Sequence, residues 1–325
     1  MLLVRAFLFL VVFCSPLSAQ GLRDSARVNS DGAELFLELR AADSTRPVVL
    51  FLHGGPGDHM GALLPFMAYP GPALERSFTM AYLYERAVGK SGPAPLASQT
   101  VAQHVRDVDN VVDYLRQRFH ARRVMIIGHS WGGLLGTRYV LDHGDKVAAL
   151  VQVCGPMNLP RGDKEMYDAS MAWYRSQKDT ASINALTRLG PPPWKTLQEV
   201  ITSRQLASVG PAPDLDNMDM KKVLASGGYS APDSNVRKNA LVIVGAMYRE
   251  LSLVNLEPRL PTARTPLLMI AAGRDAIVLP SSLKPGFEAY GGPKEWYLFE
   301  KSGHLPYVDS TDRFVAAVTD FLRKY

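Results

Sequence analysis

The chain has 325 residues, 47% of them apolar and 21% charged, with a formal net charge of +5. These values lie near the average for globular proteins and exclude a disordered, collagen-like or polytopic membrane chain. The basic excess is small and unclustered, so it supplies no footprint for nucleic acid, and the length is enough for a full core with a second lobe.

The N-terminus opens with Arg5, an apolar run from Ala6 to Phe13, and then Cys14-Ser15-Pro16-Leu17-Ser18-Ala19. A positive residue, a short apolar run and a small residue at the cut describe a secretory signal peptide. A membrane span needs about 20 apolar residues, and this run is shorter. Cleavage is expected after Ala19, giving an exported chain, periplasmic or secreted, with no stable membrane insertion afterwards. Cys14 would leave with the peptide, so Cys154 would have no partner for a disulfide. Cys154 closes the apolar run Val147 to Val153 and is expected to be a buried structural thiol.

Pro47 to Leu52 reads as a buried strand that ends in the turn His53-Gly54-Gly55-Pro56-Gly57. Thr79 to Tyr84 reads as a second strand. Between Thr100 and His120, apolar residues recur in steps of three and four at Val101, Val105, Val108, Val111, Leu115 and Phe119. That spacing predicts a helix, with Thr100 as its cap. Arg123 to Ile127 is a third strand. It runs into Gly128-His129-Ser130-Trp131-Gly132-Gly133 and a helix to about Asp142, and Val147 to Val153 is a further strand. Strands alternating with helices predict a mostly parallel sheet, and strands that are apolar throughout predict one covered on both faces.

The rhythm stops between about Pro156 and Pro261. Residues 163–188 read as helical, Gly190-Pro191-Pro192-Pro193 interrupts, and Lys195 to Ala207 resumes a helix. A stretch rich in Gly, Pro and Asp follows from Gly210 to Asp233, and then a helix from Asn235 to Val254. The sheet pattern returns with strands at 266–271 and 295–299 and a final helix from Ser310 to Arg323. This divides the chain into a signal peptide at 1–19, a core at 20–155 and 262–325, and a helical cap inserted at 156–261.

Three polar residues fall just past the C-terminal ends of strands: Ser130, Asp275 and His304. Ligands bind at that edge in open α/β sheets. Ser130 sits in Gly128-x-Ser130-x-Gly132 between a strand and a helix, where small flanking residues permit a sharp turn. A serine hydroxyl needs an adjacent base to become a nucleophile. His304 can serve as that base, and Asp275 can fix the tautomer of the imidazole. The backbone N–H of Trp131 and a glycine N–H from Gly54 or Gly55 are the candidate donors to a developing oxyanion. His53 is expected to brace its loop, and His129 to point away from the site. No paired spacing of His with Cys or acids suggests a metal site, no phosphate loop is present, and no cofactor is expected.

Taken together, His53-Gly54-Gly55-Pro56-Gly57, Gly128-His129-Ser130-Trp131-Gly132-Gly133, Gly273-Arg274-Asp275 and Gly303-His304 resemble the α/β-hydrolases of the proline iminopeptidase (prolyl aminopeptidase) type. The resemblance runs from about residue 33 to the end. It implies an α/β-hydrolase fold with a helical cap and a serine hydrolase that works through an acyl-enzyme. Ser130, Asp275 and His304 would form its triad. The implied activity is release of an N-terminal residue from a small peptide. An esterase or lactonase on small acyl substrates is the alternative, and a binding protein on an inactive scaffold is disfavoured by the intact triad.

Two departures stand out. The family's Arg-Gly-x-Gly-Arg/Lys-Ser appears as Arg86-Ala87-Val88-Gly89-Lys90-Ser91, so the turn should change if a positive φ is required. The tryptophan- and glutamate-containing cap motif that binds the substrate amine is not found. Glu165, Glu199 and Glu250 read equally well as solvated helix faces.

Overall fold

The computed structural model describes residues 21–211, 218–232 and 234–325; the expected signal peptide lies outside them. Eight strands form one sheet: β1 (Leu22–Ser30), β2 (Ala33–Ala41), β3 (Val48–Leu52), β4 (Thr79–Tyr84), β5 (Val124–His129), β6 (Val147–Val153), β7 (Leu267–Ala272) and β8 (Lys294–Phe299). Their spatial order is β1-β2-β4-β3-β5-β6-β7-β8. Pairing is antiparallel for β1 with β2 and β2 with β4, and parallel everywhere else.

The central strands are buried on both faces, as their unbroken apolar sequences require. On one side α3 (Val101–Arg118) and α4 (Trp131–His143) pack over Leu50, Ile126 and Leu150. On the other, α1 (Leu64–Ala68), α2 (Gly71–Leu74) and the C-terminal helix pack over Phe51, Met80 and Ile127. Thr100 caps α3 as read, its hydroxyl accepting from Gln103 N–H at 3.1 Å.

The sequence reading passed over the β1–β2 hairpin, although β2 alternates inward and outward residues from Ala33 to Ala41. The outer strand, β1, is largely solvent-facing, so it lacks the continuous apolar run of the inner ones. Ser30, at the end of β1, is tied to α3 through a carboxylate that Arg86 also holds. Arg86, fully buried, donates to both carboxylate oxygens of Asp107 on α3 at 2.6 Å, and Asp107 also accepts from Ser30 Oγ at the end of β1 at 2.6 Å.

Helical chain fills the interval between β6 and β7. The segment read as helical over 163–188 is two helices, α5 (Leu159–Ser176) and α6 (Thr180–Leu189). Lys178 has φ +58° and the Asp179 side chain accepts from Ser182 N–H, so one helix stops and another is capped within four residues. Next come α7 (Leu197–Gln205) and α8 (Met220–Ser226). The latter lies inside the stretch read as loop, and Asp219 caps it with bonds from Lys221 and Lys222 N–H. A long helix, α9 (Ser234–Leu251), completes the insertion. After β7 come α10 (Pro280–Ala289), then β8, the short α11 (Pro306–Asp309) and α12 (Thr311–Leu322).

Ala87 shows how the altered turn is accommodated. It adopts φ +59°, so the left-handed turn persists with an alanine in a glycine-type conformation, which costs an L-residue about 1–2 kcal/mol.

Candidate active site

Ser130 sits between β5 and α4 with φ +52° and ψ −118°, a conformation that non-glycine residues rarely occupy. Extreme crowding enforces it. A Cβ on Gly128 would lie 2.2 Å from the Gly132 carbonyl oxygen, and one on Gly132 would lie 2.1 Å from the Leu52 carbonyl oxygen. Only glycine lets the helix start so close to β3 and β5, and the tight turn lifts Ser130 to the cavity above the sheet edge.

Asp275 follows β7 and is fully buried; His304 follows β8 and is part-exposed. Asp275 Oδ2 is 2.7 Å from His304 Nδ1, while Oδ1 accepts from Ile277 and Val278 N–H at 2.8 and 2.9 Å. The Asp275 carboxylate accepts from Nδ1–H, so Nε2 of the neutral ring is the nitrogen that can take up a proton.

His129 is buried and does not line the cavity, but it packs against the candidate base. Its ring centroid is 4.8 Å from that of His304, and its Nε2 is 2.9 Å from the His304 carbonyl oxygen. Burial, reinforced by the neighbouring His304 charge, holds its pKa well below the ordinary imidazole value. A neutral His129 buttresses His304 from behind. Cys154 is buried as expected, with φ +49°. One donor atom from each of Cys154, Asp275 and His304 falls within a 4.8 Å cluster. Both Asp275 oxygens already accept hydrogen bonds from the protein, so the cluster is the Asp–His pair backed by a thiol rather than an open ligand set.

The loop after β3 reaches over Ser130. A Cβ on Gly54 would lie 2.9 Å from His129 Nδ1 and 3.2 Å from Ser130 Cβ. Gly55 and Ser130 line the same cavity, and the Gly55–Pro56 peptide is cis. Trp131 opens α4, where first-turn N–H groups have no acceptor within the helix. His53 is buried with Nδ1 2.7 Å from the Gly54 carbonyl oxygen, consistent with a loop brace.

The sequence reading missed Glu85. It is buried just past β4, where it accepts from Gly57 N–H at 2.9 Å and from the Trp131 indole Nε1–H at 2.6 Å. Its place at the same sheet edge as Ser130, Asp275 and His304 was the available signal.

Above Ser130 lies a cavity of about 450 Å³. Leu134, Leu159, Val200, Ile201, Val244 and Ile277 are among its apolar walls, and the volume suits a small ligand. Asp163 is the acid in its lining, and Arg204 beside it donates to Asp163 Oδ1 at 2.5 Å. The three cap acids singled out in the sequence are engaged elsewhere. Glu165 accepts from Ser281 Oγ, Glu199 forms a capping box with Thr196, and Glu250 accepts from Val101 N–H.

A serine in a strand–helix elbow, with a hydrogen-bonded His–Asp pair on neighbouring strand ends of such a sheet, defines an α/β hydrolase. The chain belongs to that family: the sequence model of the alpha/beta hydrolase fold matches residues 47–311. It is similar to a probable aminopeptidase, YbaC, of Bacillus subtilis (strain 168), at 23% identity over 89% of this chain and 93% of that one. It is also similar to a pimeloyl-[acyl-carrier protein] methyl ester esterase of Vibrio atlanticus (strain LGP32), at 25% identity over 68% of this chain and 78% of that one. Among solved structures, a proline iminopeptidase of Mycobacterium smegmatis superposes with a TM-score of 0.59 at 19% identity, over 93% of this chain and 98% of that one. That likeness establishes the shared fold.

Proposed function

We propose that this protein is a serine hydrolase that cleaves a small ester or amide through an acyl-enzyme on Ser130. His304 Nε2 takes the Ser130 proton as Oγ attacks the substrate carbonyl carbon, and Asp275 stabilises the imidazolium. The backbone N–H groups of Trp131 and of Gly54 or Gly55 receive the oxyanion. The tetrahedral adduct collapses, the leaving group departs with the proton from His304, and water repeats the sequence to release the acid.

For the substrate, the observation that carries most weight is the Asp163–Arg204 pair, which holds the acid of a mainly apolar cavity. A substrate ammonium buried there would need an unpaired carboxylate, and among the described residues the cavity's acid is already neutralised. The geometry therefore favours an uncharged apolar acyl group, delivered as an ester. The second reading is an aminopeptidase. Similarity to aminopeptidase-named proteins supports it, with Asp163 exchanging Arg204 for the substrate amine. In both readings the chain is exported by its N-terminal signal, needs no cofactor, and acts on a small peptide, amide or ester. Nucleic acid is not a partner. No helix among the described residues is long and apolar enough to cross a membrane.

A side-by-side assay of mature protein on prolyl and alanyl arylamides and on a short-chain aryl ester, with Ser130→Ala as blank, tests this. Ester turnover without arylamide turnover supports the first reading. Arylamide turnover that vanishes when the amine is acetylated selects the second. Activity retained by Ser130→Ala overturns both.

A further inference from the structure

Glu85 is 4% exposed and does not line the cavity above Ser130. Each of its carboxylate oxygens accepts from a different chain segment. Oε2 takes the backbone N–H of Gly57, at the end of the loop that carries Gly54 and Gly55, at 2.9 Å. Oε1 takes the indole Nε1–H of Trp131, the first residue of α4, at 2.6 Å. These are the two segments that supply the N–H groups aimed at the oxyanion.

Two more polar side chains surround the carboxylate. His53 Nε2 is 3.8 Å from Oε2, and His104 Nδ1 is 3.9 Å from Oε1. Burial holds the pKa of His104 below its ordinary value, against the opposing influence of Glu85. His104 Nε2 is 3.0 Å from Gln99 Oε1 and must donate to it, since an amide oxygen only accepts. His104 also packs edge-on against Trp131, with ring centroids 5.6 Å apart.

Burying a carboxylate is unfavourable unless it is hydrogen-bonded, and an apolar side chain would fill this space without that penalty. What an apolar residue cannot do is accept two hydrogen bonds at once from two separate segments. An oxyanion hole needs its donors held within about 2.7–3.1 Å of a single oxygen position. Pairing of β3 with β5 brings the Gly54–Gly55 loop and the start of α4 together, and Glu85 adds a hydrogen-bonded link between them beyond the strand ends. We propose that Glu85 is a positioning residue for the oxyanion hole: its carboxylate ties the Gly57 end of the glycine loop to Trp131, so that both backbone donors converge on one oxygen. It acts through those residues without touching substrate. The inference rests on Ser130 being the nucleophile.

The substitution Glu85→Gln is informative because an amide accepts at one atom and presents N–H to the other donor. One of the two bonds is therefore lost. Glu85→Ala loses both. The full mature chain is first titrated with a fluorophosphonate probe, with Ser130→Ala as the blank. This counts active sites and corrects for any misfolded fraction. The kcat per site and KM are then measured on an aryl ester, together with the inhibition constant of an arylboronic acid whose tetrahedral serine adduct places an oxygen in the hole.

Displaced donors lower transition-state binding more than substrate binding. Glu85→Gln is expected to lower kcat per site about ten- to a hundredfold and to weaken the boronate by a similar factor, with KM moving less than about threefold. Glu85→Ala is expected to fall further. A purely structural role would reduce the titratable fraction and leave kcat per site and boronate affinity unchanged, which would overturn the proposal. Should Glu85→Gln yield no folded protein, Trp131→Phe removes the indole bond alone and is read in the same way. If wild-type protein neither takes the probe nor turns over ester or arylamide, the hydrolase reading fails and this inference with it. An active, labelled wild type with an unmoved Glu85→Gln removes this inference only.

Discussion

His129 Nε2 lies 2.9 Å from the carbonyl oxygen of His304, so the residue before the candidate nucleophile holds the backbone of the candidate base. A carbonyl only accepts, so Nε2 of His129 carries the proton and Nδ1 faces the Tyr307 hydroxyl at 3.5 Å. Burial, reinforced by the neighbouring His304, lowers its pKa and so favours the neutral ring.

That burial gives stability a pH dependence. His129 and His104 both have pKa values lowered by burial in the folded protein, whereas unfolded histidine titrates near about 6.5. Below that pH the unfolded chain binds protons that the folded one refuses, so stability falls as pH drops and is fully present above it. The melting temperature is expected to decline between about pH 6.5 and 5, before the carboxylates titrate. Replacing His104 with Gln should flatten part of this decline. A slope unchanged in that variant would count against the assignment.

Ser130 predicts opposite effects on activity and stability. Ser130→Ala should lower kcat by about 10⁴-fold or more while keeping the strained backbone. Ser130→Gly should be equally inactive but more stable than Ser130→Ala by about 1 kcal/mol, because glycine occupies φ +52° without a Cβ clash. Thermal denaturation of the two variants compares them directly, and a less stable glycine variant would contradict the strain argument.

The Arg86–Asp107 pair should be a strong point of the fold. Arg86 is fully buried and doubly bonded to Asp107. Asp107→Ala would leave that guanidinium buried without its counter-charge and is expected to destabilise the protein by about 3–5 kcal/mol in urea unfolding. A loss below about 1 kcal/mol, typical of exposed pairs, would show that water replaces the partner.

Arg204→Met tests what neutralises Asp163. Removing the guanidinium frees the carboxylate in the cavity wall. The ratio of aminoacyl arylamide to neutral ester turnover should rise about tenfold, equivalent to about 1.4 kcal/mol of new ion pairing. A ratio that falls instead would indicate that Arg204 itself binds substrate.

Several features of the site could be read before any coordinates. The order Ser130, Asp275, His304 and their positions after apolar strands follow from local pattern, because a sheet covered on both faces imposes continuous apolar runs and its loops must carry the polar chemistry. The strands at 79–84 and 147–153 match the observed bounds. The β1–β2 edge was overlooked: β1 faces solvent and has no unbroken apolar run, but β2 carries the period-2 alternation of a half-buried strand. Helices α5 and α6 merged in the reading because the polar stretch from Arg175 to Thr180 holds no glycine or proline to mark the break at Lys178.

By itself the sequence determined the alternation of strand and helix, the insertion between β6 and β7, and the residues available for chemistry. These are properties of neighbouring residues along the chain, and local sterics and hydrophobic period express them directly. Only the tertiary structure decided how those residues are used. It turned His129 toward His304, brought Glu85 between Gly57 and Trp131, and set Arg204 against Asp163. Each of these contacts joins residues far apart in sequence, and a buried charge or donor is satisfied by whichever partner packing brings within about 3 Å, which no local pattern encodes.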